Sequence, residues 1–577
     1  TPLPAYPRPQ MVRGSGSDFA KLRDAGDPAA WANLNGLWEW EKAETDAPAF
    51  GKTLNGSILV PFPVESCLSG VAPTKTADLV KTMWYRLTFD HSSAPETRTL
   101  LHFGAVDWQT TVYLNTARLG NHTGGFDGFS FDISDHLTEK ANELLVYVYD
   151  PSDHGPQPNG KQRSAALDSP GGDTYTPSSG IWQTVWLESV PTSYISSLEI
   201  DQASETAVTV TVQTAPSNHG TVGFAVMDDG VVIKSGSMEV GKPMAISVPD
   251  AKLWSPDSPK LYNLKLTAGG DSVLAYFGLR TFVLGTEPVP RPLLNQKFTF
   301  MAGFLDQSFW PDGLFTAPTD EALEFDLIAT KSFGLNMIRL HQKVNPERWY
   351  YHADRHGLVL FQDMPQKYGG ASEKLIPYFV DDLKAMIQGR KNHPCIVQWT
   401  AFNEEDCWKV FTTKPYDVLG ITQLAKQLDP TRLVDTNSGG GATKLGYADV
   451  NDIHSYPYPG DPHPNHTQYA MVGEFGGLGA FIKGREWIPG GCYAYLKVNS
   501  SQSEADIYAT MAKTLLKRAD HISASVYTQT TDVECECDGF LNYDRTSKFN
   551  ESQTKVIYDA NRALVEASSA FDPMVYV

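Results

Sequence analysis

Short segments in which hydrophobic and polar residues alternate dominate the first half of the chain, and this pattern predicts β-strands with one buried face. The segment 84–89 alternates in this way, and valines occupy every second position over residues 208–212. Asp229-Gly230 stands between two apolar runs, a combination typical of a tight hairpin turn. Because no long helical period interrupts these strands, residues 1–190 are predicted to form a β-sandwich and residues 191–285 an immunoglobulin-like β-sandwich.

The pattern changes after residue 285, where strands alternate with helical periods. Leu323, Leu327 and Ile328 recur at helical spacing in a segment that ends at Gly334, a typical C-terminal cap. Eight short strands follow one another at the spacing of a (β/α)8 barrel, which is the prediction for residues 286–577. An open doubly wound sheet is the alternative, but no glycine fingerprint for a nucleotide is present. The predicted fold is therefore two β-sandwiches followed by a TIM barrel.

The charge of the chain narrows its expected partners. Its 577 residues include 47 Lys and Arg against 67 Asp and Glu, for a net charge of −20. Such a field repels phosphate backbones, so nucleic acid is not an expected partner. Every apolar run is shorter than the roughly 18 residues of a membrane-spanning helix, so no membrane is expected either. The sequence predicts no particular oligomeric state.

Several features favour a secreted protein. The chain opens at Thr1 without an initiator methionine or a charged-then-apolar leader, which indicates a processed mature form or a trimmed chain. Glycosylation sequons point the same way, although several are expected by chance in a long chain. The sequons are at Asn55, Asn121, Asn465, Asn499 and Asn550. Cys535 and Cys537 are placed on one face of a predicted strand, and with no histidine pair nearby they are interpreted as packing or oxidised cysteines.

Two of the predicted barrel strands, the fourth and the seventh, end in a glutamate. Asn403-Glu404 closes one apolar strand and Gly473-Glu474 closes the other. Catalytic groups of barrel enzymes lie at strand ends, so both carboxylates are expected at the mouth of the barrel. Glycoside cleavage uses such a pair, with one carboxylic acid protonating the leaving oxygen and one carboxylate attacking the anomeric carbon. Taken singly, either glutamate is more often a surface carboxylate, so the hypothesis depends on the pair.

Motifs along nearly the whole chain make it resemble glycoside hydrolase family 2, the group of β-galactosidases, β-glucuronidases and β-mannosidases. The resemblance implies a jelly-roll sugar-binding domain, an immunoglobulin-like domain and a catalytic barrel. It also implies retention through a glycosyl-enzyme intermediate, with no obligatory organic cofactor. The motifs are Ser179–Trp186, Phe277–Arg280, Gly334–Arg339, Asn392–Pro394, Asn403-Glu404 and Gly473–Gly476.

The resemblance assigns roles to four residues. Glu404 corresponds to the acid/base and Glu474 to the nucleophile. Asn403 matches the residue that binds the sugar hydroxyl next to the reacting carbon. Arg339 is expected to keep the nucleophile ionised through a charge-assisted hydrogen bond, with a purely structural ion pair as the alternative. Glu405 and Asp406 are expected to be bystanders.

Other residues are candidates for substrate binding. Tyr456 is expected to donate a hydrogen bond to the nucleophile, with His454 as the competing candidate. Tyr527 stands where the family has a tryptophan platform and is still able to stack on a sugar face. Asp107 belongs to a loop of the first domain that could reach the barrel mouth, or is a turn residue. Asp363 is a further candidate for a sugar contact.

Departures from the family patterns bear on the substrate. The glucuronidases carry Asn-x-Lys near the eighth strand to bind the sugar carboxylate, whereas this chain has Glu536-Cys537-Asp538 there, which would repel a uronate. The segment 361–367 lacks the Glu-x-His of magnesium-dependent β-galactosidases, so no metal site is expected. Acidic residues at every second position between Asp532 and Asp538 are expected on one strand face, where they bind sugar hydroxyls or a cation, or form a solvated edge.

The prediction is a retaining exo-glycosidase acting on a neutral terminal sugar of an oligosaccharide or glycoside. β-Galactosidase activity leads, with β-galactofuranosidase, α-L-arabinofuranosidase and β-mannosidase as alternatives that use the same glutamate pair. A carbohydrate-binding protein without catalysis is the alternative from another class. The intact pair argues against it, because a lectin has no need for a charge partner of the nucleophile.

Overall fold

The structure, a computed structural model, confirms the predicted order of two β-sandwiches and a barrel. Each of the three parts has its own buried apolar core. The residues it describes are 3–14, 16, 18–217, 219–286, 288–366, 374–404, 417–440 and 446–567.

The first sandwich consists of two antiparallel sheets packed face to face. The strands of this part of the chain are β1 Val12–Arg13, β2 Trp31–Asn33, β3 Gly36–Lys42, β4 Gly56–Val60, β5 Thr82–Phe89, β6 Thr97–Phe103, β7 Val106–Asp107, β8 Gln109–Leu114, β9 Ala117–Thr123, β10 Phe129–Asp132, β11 Asn142–Tyr149, β12 Gly180–Ile181 and β13 Val185–Pro191. One sheet has the order β10-β6-β13-β2 and the other β4-β3-β5-β11-β8-β9. Their inward-facing apolar residues form the core between them.

The second sandwich follows the predicted alternation. Its strands are β14 Tyr194–Ser204, β15 Ala207–Ala215, β16 Thr221–Asp228, β17 Val231–Glu239, β18 Met244–Ser247, β19 Trp254–Ser255, β20 Ser258–Pro259, β21 Tyr262–Ala268 and β22 Asp271–Phe277. Val208, Val210 and Val212 are buried, and the threonines between them are only half-buried. Asp229-Gly230 turns the β16–β17 hairpin with positive φ at both residues. Strand β1, from the N-terminal segment, pairs with β22 and so belongs to this sheet.

The third part contains a parallel eight-stranded barrel. The remaining strands are β23 Phe282–Gly285, β24 Arg291–Leu294, β25 Lys297–Phe298, β26 Met301–Asp306, β27 Met337–Leu340, β28 Val359–Asp363, β29 Ile396–Asn403, β30 Leu433–Ser438, β31 Val450–Ser455, β32 Tyr469–Gly476, β33 Leu478–Ala480, β34 Leu496–Val498 and β35 Ile522–Thr528. The barrel order is β30-β29-β28-β27-β26-β35-β32-β31. Its two end strands meet where the Asp449 amide donates to the Val434 carbonyl at 3.0 Å. The predicted strand at 298–301 was misplaced, because the first barrel strand begins at Met301.

Helices connect the barrel strands and cover the barrel. The described helices are α1 Phe19–Ala25, which precedes the first sandwich, and in the barrel part α2 Asp320–Ser332, α3 Glu347–His356, α4 Ile376–Arg390, α5 Val418–Leu428, α6 Ser501–Leu516 and α7 Glu551–Glu566. The Thr319 side chain caps the start of α2, and Gly334, with φ of +81°, follows its end as predicted. Asn550 caps α7 in a reciprocal pair with Gln553. None of the described helices combines the length and apolarity needed to cross a membrane.

The Asn392-His393-Pro394 motif joins the second sandwich to the strand that carries the first glutamate. The Asn392 amide group donates to the Leu198 carbonyl at 2.8 Å and accepts from the Ile200 amide at 2.7 Å. The buried Arg280 guanidinium donates to the carbonyls of Pro394 and Ile396, each at 2.6 Å. The link between the domains therefore holds the beginning of β29, and β29 ends at the site.

Candidate active site

Glu474 lies in β32 with its carboxylate held by donors from two other barrel strands. It is 5% exposed. Arg339, from β27, donates from Nη1 to Glu474 Oε1 at 3.0 Å. The Tyr456 hydroxyl, after β31, donates to Oε2 at 2.6 Å, and His454 Nδ1 lies 3.3 Å from the same oxygen. The structure thus brings both competing candidates, Tyr456 and His454, to this carboxylate.

The environment keeps Glu474 ionised. Burial alone raises the pKa of a carboxyl group, but the charges of His454 and Arg339 outweigh burial and lower the pKa of Glu474 to about 2. Burial and the adjacent Glu474 charge raise the pKa of the Tyr456 phenol well above its usual value, so Tyr456 remains a donor. An ionised carboxylate with two strong donors is the form that a nucleophile requires.

Arg339 organises several site residues at once. It is fully buried, and its Nη2 donates to Asn403 Oδ1 at 2.7 Å. Nε lies 3.0 Å from Asp363 Oδ2, and Nη2 lies 2.8 Å from the same oxygen. His341 Nδ1 lies 2.7 Å from Asp363 Oδ2 as well. Burial raises the pKa of Asp363, but Arg339 and His341 outweigh it and lower that pKa overall. Asp363, predicted as a sugar contact, therefore acts on Glu474 through Arg339.

Glu404 lies directly after β29 and points its carboxylate toward the same place. Its φ of +49° is a left-handed conformation that non-glycine residues rarely adopt. The Glu404 amide donates to the Ser438 carbonyl at 2.9 Å, which holds this turn. Its side chain is 49% exposed, far more than that of Glu474. One glutamate is therefore open to solvent and the other enclosed, a difference suited to a proton-transferring residue and a nucleophile.

His454 lies between the two glutamates. Its Nδ1 is 2.5 Å from Glu404 Oε1, in addition to its contact with Glu474. Oxygens of both carboxylates and the imidazole nitrogen all lie within 4.8 Å of one another. Burial lowers the pKa of His454, but the two glutamates outweigh burial and raise it. In retaining glycosidases the two carboxyl groups are about 5–5.5 Å apart, whereas inverting enzymes need roughly 6.5–9.5 Å.

A chain of hydrogen bonds begins at the other ring nitrogen of His454, Nε2. Its Nε2 lies 2.8 Å from Ser438 Oγ, and the Ser438 hydroxyl donates to the buried Asp452. Asp452 Oδ1 accepts from the Gly473 amide at 2.6 Å. A Cβ atom at Gly473 would lie 2.1 Å from Asp452 Oδ2, so this close approach requires glycine beside the nucleophile. Ser438 is the last residue of β30, so this chain of contacts joins three neighbouring strands.

Asn403 is held by Gln366, a residue that no sequence pattern identified. Gln366 Nε2 donates to the Asn403 carbonyl at 2.8 Å, and the Asn403 amide donates to Gln366 Oε1 at 2.9 Å. The Gln366 carbonyl accepts from the Gly160 amide at 2.8 Å, which brings the first sandwich to the barrel mouth. Spacing alone gave no signal for Gln366, because its role depends on β28 and β29 lying side by side. Glu405 and Asp406 lie outside the described residues.

The predicted sugar platform at Tyr527 was wrong. Tyr527 is fully buried, and its ring packs against Phe304, Tyr508 and Phe540 in the apolar layer between the barrel strands and helix α6. Its hydroxyl accepts from the Leu478 amide at 3.2 Å. The side chain points outward from the barrel axis, because alternate residues of a barrel strand face opposite sides.

An aromatic surface near the nucleophile is provided instead by a residue outside the predicted strands. The Tyr495 ring stacks on the Tyr456 ring at 3.7 Å between centroids, and Tyr495 is 39% exposed. Because Tyr456 donates to Glu474, an exposed ring stacked on it is beside the reacting carboxylate. The sequence around Tyr495 offered no periodic signal that could have identified it.

The acidic run was predicted on a strand face, but it forms a buried loop after β35. Asp532 accepts from Lys548 Nζ at 2.7 Å, and Glu534 accepts from the Thr176 amide at 2.9 Å. The solvated-edge interpretation is therefore wrong, since each of the four carboxylates is at most 5% exposed. Two of them have structural partners that account for their burial.

The other two carboxylates of this loop meet the first sandwich. Glu536 accepts a hydrogen bond from the Tyr175 hydroxyl, and Asp538 accepts from Gln529 Nε2 at 2.9 Å. Burial raises the pKa of Glu536 to about 7 and, together with Glu536, raises the pKa of Asp538 well above its usual value. The Lys161 charge opposes the rise at Glu536. Cys537, in the same loop, forms a disulfide with Cys492, and this bond fixes the loop.

Asp107 lies on β7, which pairs with β12, rather than in a turn. It is 2% exposed, and its Oδ2 accepts from Gln162 Nε2 at 3.1 Å. Burial raises the pKa of Asp107 well above its usual value, with Asp150 adding to the rise. Gln162 belongs to the same segment as Gly160, whose amide donates to Gln366 at the barrel mouth. Asp107 therefore holds, through Gln162, the segment of the first sandwich that contacts the barrel.

The described residues offer two groups of donors with the chemistry of metal ligands. One is the pair of glutamates with His454, and the other is Asp461 with His463 and His521. The first group already has hydrogen-bond partners for each carboxylate, as described above. A cavity of about 540 Å³ lies between the first sandwich, the second sandwich and the barrel, and neither glutamate lines it.

Comparison with known families agrees with this architecture. The model for the TIM barrel domain of glycosyl hydrolases family 2 matches residues 316–474, which include both glutamates. The galactose-binding domain-like model of the family matches residues 74–177, and the model described as glycosyl hydrolases family 2 matches residues 186–280. The chain belongs to glycoside hydrolase family 2.

Individual relatives are distant. A putative β-glucuronidase of Formosa agariphila is 27% identical over 377 residues, which cover 60% of this chain and 44% of the relative. A β-galactosidase of Thermoanaerobacter pseudethanolicus is 27% identical over 347 residues, which cover 55% of this chain and 44% of the relative. The chain thus spans less than half the length of these curated relatives.

Solved structures share the fold over nearly the whole chain. A β-glucuronidase from an uncultured Clostridium species has a TM-score of 0.73 at 20% identity and covers 93% of this chain and 98% of its own. A β-galacturonidase from Eisenbergiella tayi, bound to galacturonate, has a TM-score of 0.69 at 18% identity, covering 92% and 97%. At these identities the likeness concerns the fold.

Proposed function

We propose that the protein is a retaining exo-glycosidase that removes a neutral terminal sugar by double displacement. The observation that carries the proposal is the spacing of the two glutamates, whose carboxylate oxygens lie within 4.8 Å of each other. Such proximity is closer to the carboxyl separation of about 5–5.5 Å in retaining enzymes than to the roughly 6.5–9.5 Å of inverting enzymes. Family membership supports glycoside hydrolysis as the reaction class.

In the first step, Glu474 attacks the anomeric carbon as an ionised carboxylate. Arg339 and Tyr456 orient it, and Arg339 keeps it deprotonated. Glu404 protonates the glycosidic oxygen, which leaves as the hydroxyl of the aglycone. Asn403, fixed by Arg339 and Gln366, is placed to bind the hydroxyl beside the reacting carbon.

In the second step, Glu404 acts as a base. It removes a proton from water, and the water oxygen attacks the anomeric carbon of the glycosyl ester at Glu474. The carboxylate of Glu474 leaves, so two inversions give net retention. The 49% exposure of the Glu404 side chain supports this role, because the group that exchanges protons with water must be reachable by water.

The charges around the site favour a neutral sugar over a uronate. Glu536 and Asp538 occupy the position where glucuronidases have Asn-x-Lys, and both are buried in the loop after β35. Lys161 is the nearby cation, and its Nζ is engaged by Asp173 at 3.1 Å. With no lysine at that position, a sugar carboxylate would lack the cation that binds it in glucuronidases. β-Galactosidase activity is the leading hypothesis, and β-galactofuranosidase, α-L-arabinofuranosidase and β-mannosidase activities use the same glutamates.

We also propose that the protein acts outside the cytoplasm, on oligosaccharides or glycosides. The Cys492–Cys537 disulfide supports an oxidising compartment. The asparagines of the sequons at Asn55, Asn121 and Asn465 are exposed, as surface glycosylation requires. Mass spectrometry of the protein from its natural source, before and after glycosidase treatment, tests this point.

A panel of aryl glycosides tests the proposed reaction, with the anomer of the first product followed by NMR. The expected result is cleavage of one neutral glycoside with retention. An inverted product would refute the double displacement, and sugar binding without cleavage of any substrate would favour a lectin. Cleavage of the aryl glucuronide in preference to every neutral glycoside would overturn the argument from Glu536 and Asp538.

Substitution separates the two roles. Glu474→Gln is expected to lower kcat on the order of 10⁴-fold or more, because the covalent step is lost. Glu404→Gln is expected to impair substrates with poor leaving groups much more than activated aryl glycosides, since activated groups need little protonation. Glu139→Gln, at an exposed position of the first sandwich, is the matched control and should leave both rates unchanged. Full activity of Glu474→Gln would show that another group is the nucleophile.

A further inference from the structure

A second group of polar side chains lies away from the glutamates, between the β31–β32 connection and the start of β35. Asp461 and His463 belong to the connection, and His521 immediately precedes β35. One donor atom from each residue lies within 4.8 Å of the other two. The rings of His463 and His521 are parallel, with centroids 4.4 Å apart. The proposed function uses none of these residues.

The backbone around these side chains is anchored from both sides. Arg518 Nη1 donates to the carbonyls of Pro459 and Gly460 at 3.0 and 2.8 Å. Asn451 Nδ2 donates to the His463 carbonyl at 2.8 Å. Anchored backbone on both sides of the connection fixes where its side chains start, so few conformations must be lost when a ligand binds them.

The His521 ring is oriented by a second carboxylate. Its Nδ1 lies 2.7 Å from Asp520 Oδ1, while its Nε2 lies 2.8 Å from Asp461 Oδ1. Histidines that bind metals in proteins usually have their other ring nitrogen hydrogen-bonded to a carboxylate, carbonyl or water. The Asp520 contact supplies this feature independently of the three proposed ligands.

We propose that Asp461, His463 and His521 bind a divalent transition-metal ion of the Zn²⁺ class. Two imidazoles and one carboxylate suit Zn²⁺, Cu²⁺ or Ni²⁺ better than Mg²⁺ or Ca²⁺, which prefer oxygen ligands. Ligand bonds of about 2.0–2.2 Å at tetrahedral angles place donor atoms roughly 3.3 Å apart. The donors, already within 4.8 Å, need to move by little more than an ångström. Water would complete the coordination at this partly exposed site.

Two contacts of Asp461 compete with the metal, the hydrogen bond with His521 Nε2, which two metal–ligand bonds would replace, and a weaker contact with Arg518. Arg518 Nε lies 3.4 Å from Asp461 Oδ1, longer than the 2.7–2.9 Å of a strong charge-assisted hydrogen bond. Arg518 keeps its two carbonyl acceptors when the aspartate turns to an ion. Binding would join the β31–β32 connection to the start of the last barrel strand, so its expected consequence is added stability rather than a change in chemistry.

Titration calorimetry of the full chain with ZnCl₂, after treatment with a chelator, tests the proposal. The expected result is saturable binding with one ion in this group, weakened tenfold or more in His463→Ala and in His521→Ala. His466→Ala is the matched control, because this exposed histidine lies in the same connection outside the group. Equal binding by wild type and both variants would overturn the proposal, as would no saturable binding by wild type.

Two further measurements determine which donor group holds the ion. Zn²⁺ is expected to raise the Tm of wild type and His466→Ala but not of His463→Ala, and circular dichroism checks that each variant is folded. Glu474→Gln is expected to keep the ion, because the glutamates form a different donor group. If Glu474→Gln loses the ion and His463→Ala retains it, the ion binds between the catalytic glutamates and the proposal is wrong.

Discussion

His454 offers the sharpest test of how the site controls charge. Its Nδ1 contacts Glu404 at 2.5 Å and Glu474 at 3.3 Å, and it is the largest of the influences that lower the pKa of Glu474. His454→Asn keeps a polar side chain of smaller size but removes the positive charge. We expect the pKa of Glu474 to rise from about 2 toward its usual range, with Arg339 and Tyr456 still in place.

The size of the shift follows from the interaction removed. An opposite charge within about 4–6 Å of a carboxyl group typically lowers its pKa by about one to three units. Because Arg339 and Tyr456 stay in place, the pKa of Glu474 should rise by roughly one to two units when the imidazolium is removed. Glu474 must be ionised to attack, so activity is lost as pH falls through its pKa. The acidic limb of the pH profile is therefore expected to move upward by the same one to two units.

The assay is the pH dependence of kcat/KM on the aryl glycoside that wild type cleaves, from pH 2.5 to 8. His454→Asn should lose about two- to tenfold more activity near pH 3 than near pH 7. His466→Asn, an exposed histidine substitution outside the site, should keep the wild-type profile. An unchanged acidic limb in His454→Asn, with the fold intact by circular dichroism, would refute the assigned role of the imidazolium.

The same substitution has a stability consequence of defined sign. The pKa of Glu474 is lowered on folding, so its ionisation stabilises the folded protein above its unfolded pKa. This contribution is lost as pH falls toward 2. His454→Asn should reduce the contribution, so the Tm difference from wild type should be larger at pH 6 than at pH 2.5. The opposite order would contradict the charge argument.

The remaining predictions concern the supports of the site. Arg339→Met should destabilise the protein by about 3–5 kcal/mol, measured by urea unfolding, because buried carboxylates lose their cation; stability equal to wild type would contradict this. Tyr527→Phe should lower the free energy of unfolding by only about 1 kcal/mol, because it loses the hydrogen bond from the Leu478 amide, and it should leave KM unchanged. A marked rise in KM would show that Tyr527 contacts the sugar after all. Cys492→Ser should remove about 4 kcal/mol, from the loop of 45 residues closed by the bond to Cys537, and lower the Tm as reductant does in wild type; no Tm change would show that the disulfide has no stabilising effect.

The alternation of apolar and polar residues and the family motifs were sufficient to predict the order of the three domains and the two strands that carry the glutamates. Alternation at 208–212 and the Asp229-Gly230 turn are local features, so they can be read without tertiary contacts. Glu404 and Glu474 could be paired because parallel strands of a barrel deliver their ends to one face. Arg339, Asn403 and Tyr456 followed from the family motifs, and the structure places all three around Glu474. Their roles stay predictions until the variants are assayed.

Packing alone decided which of the other candidates reach the site. Tyr527 and Tyr456 both lie near strand ends, and only the turn of the chain determines that one ring faces the core and the other the nucleophile. The acidic run looked like a strand face because its charges alternate, but Lys548 and the first sandwich bury it as a loop.

Gln366 was not predicted, because its contact with Asn403 joins residues that are distant in sequence. His454 was a predicted candidate for Glu474, but its contact with Glu404 was not predicted, for the same reason. A sequence carries local periodicity and the residues of a motif. The contacts between distant segments that set exposure, hydrogen bonding and pKa exist only once the chain is folded.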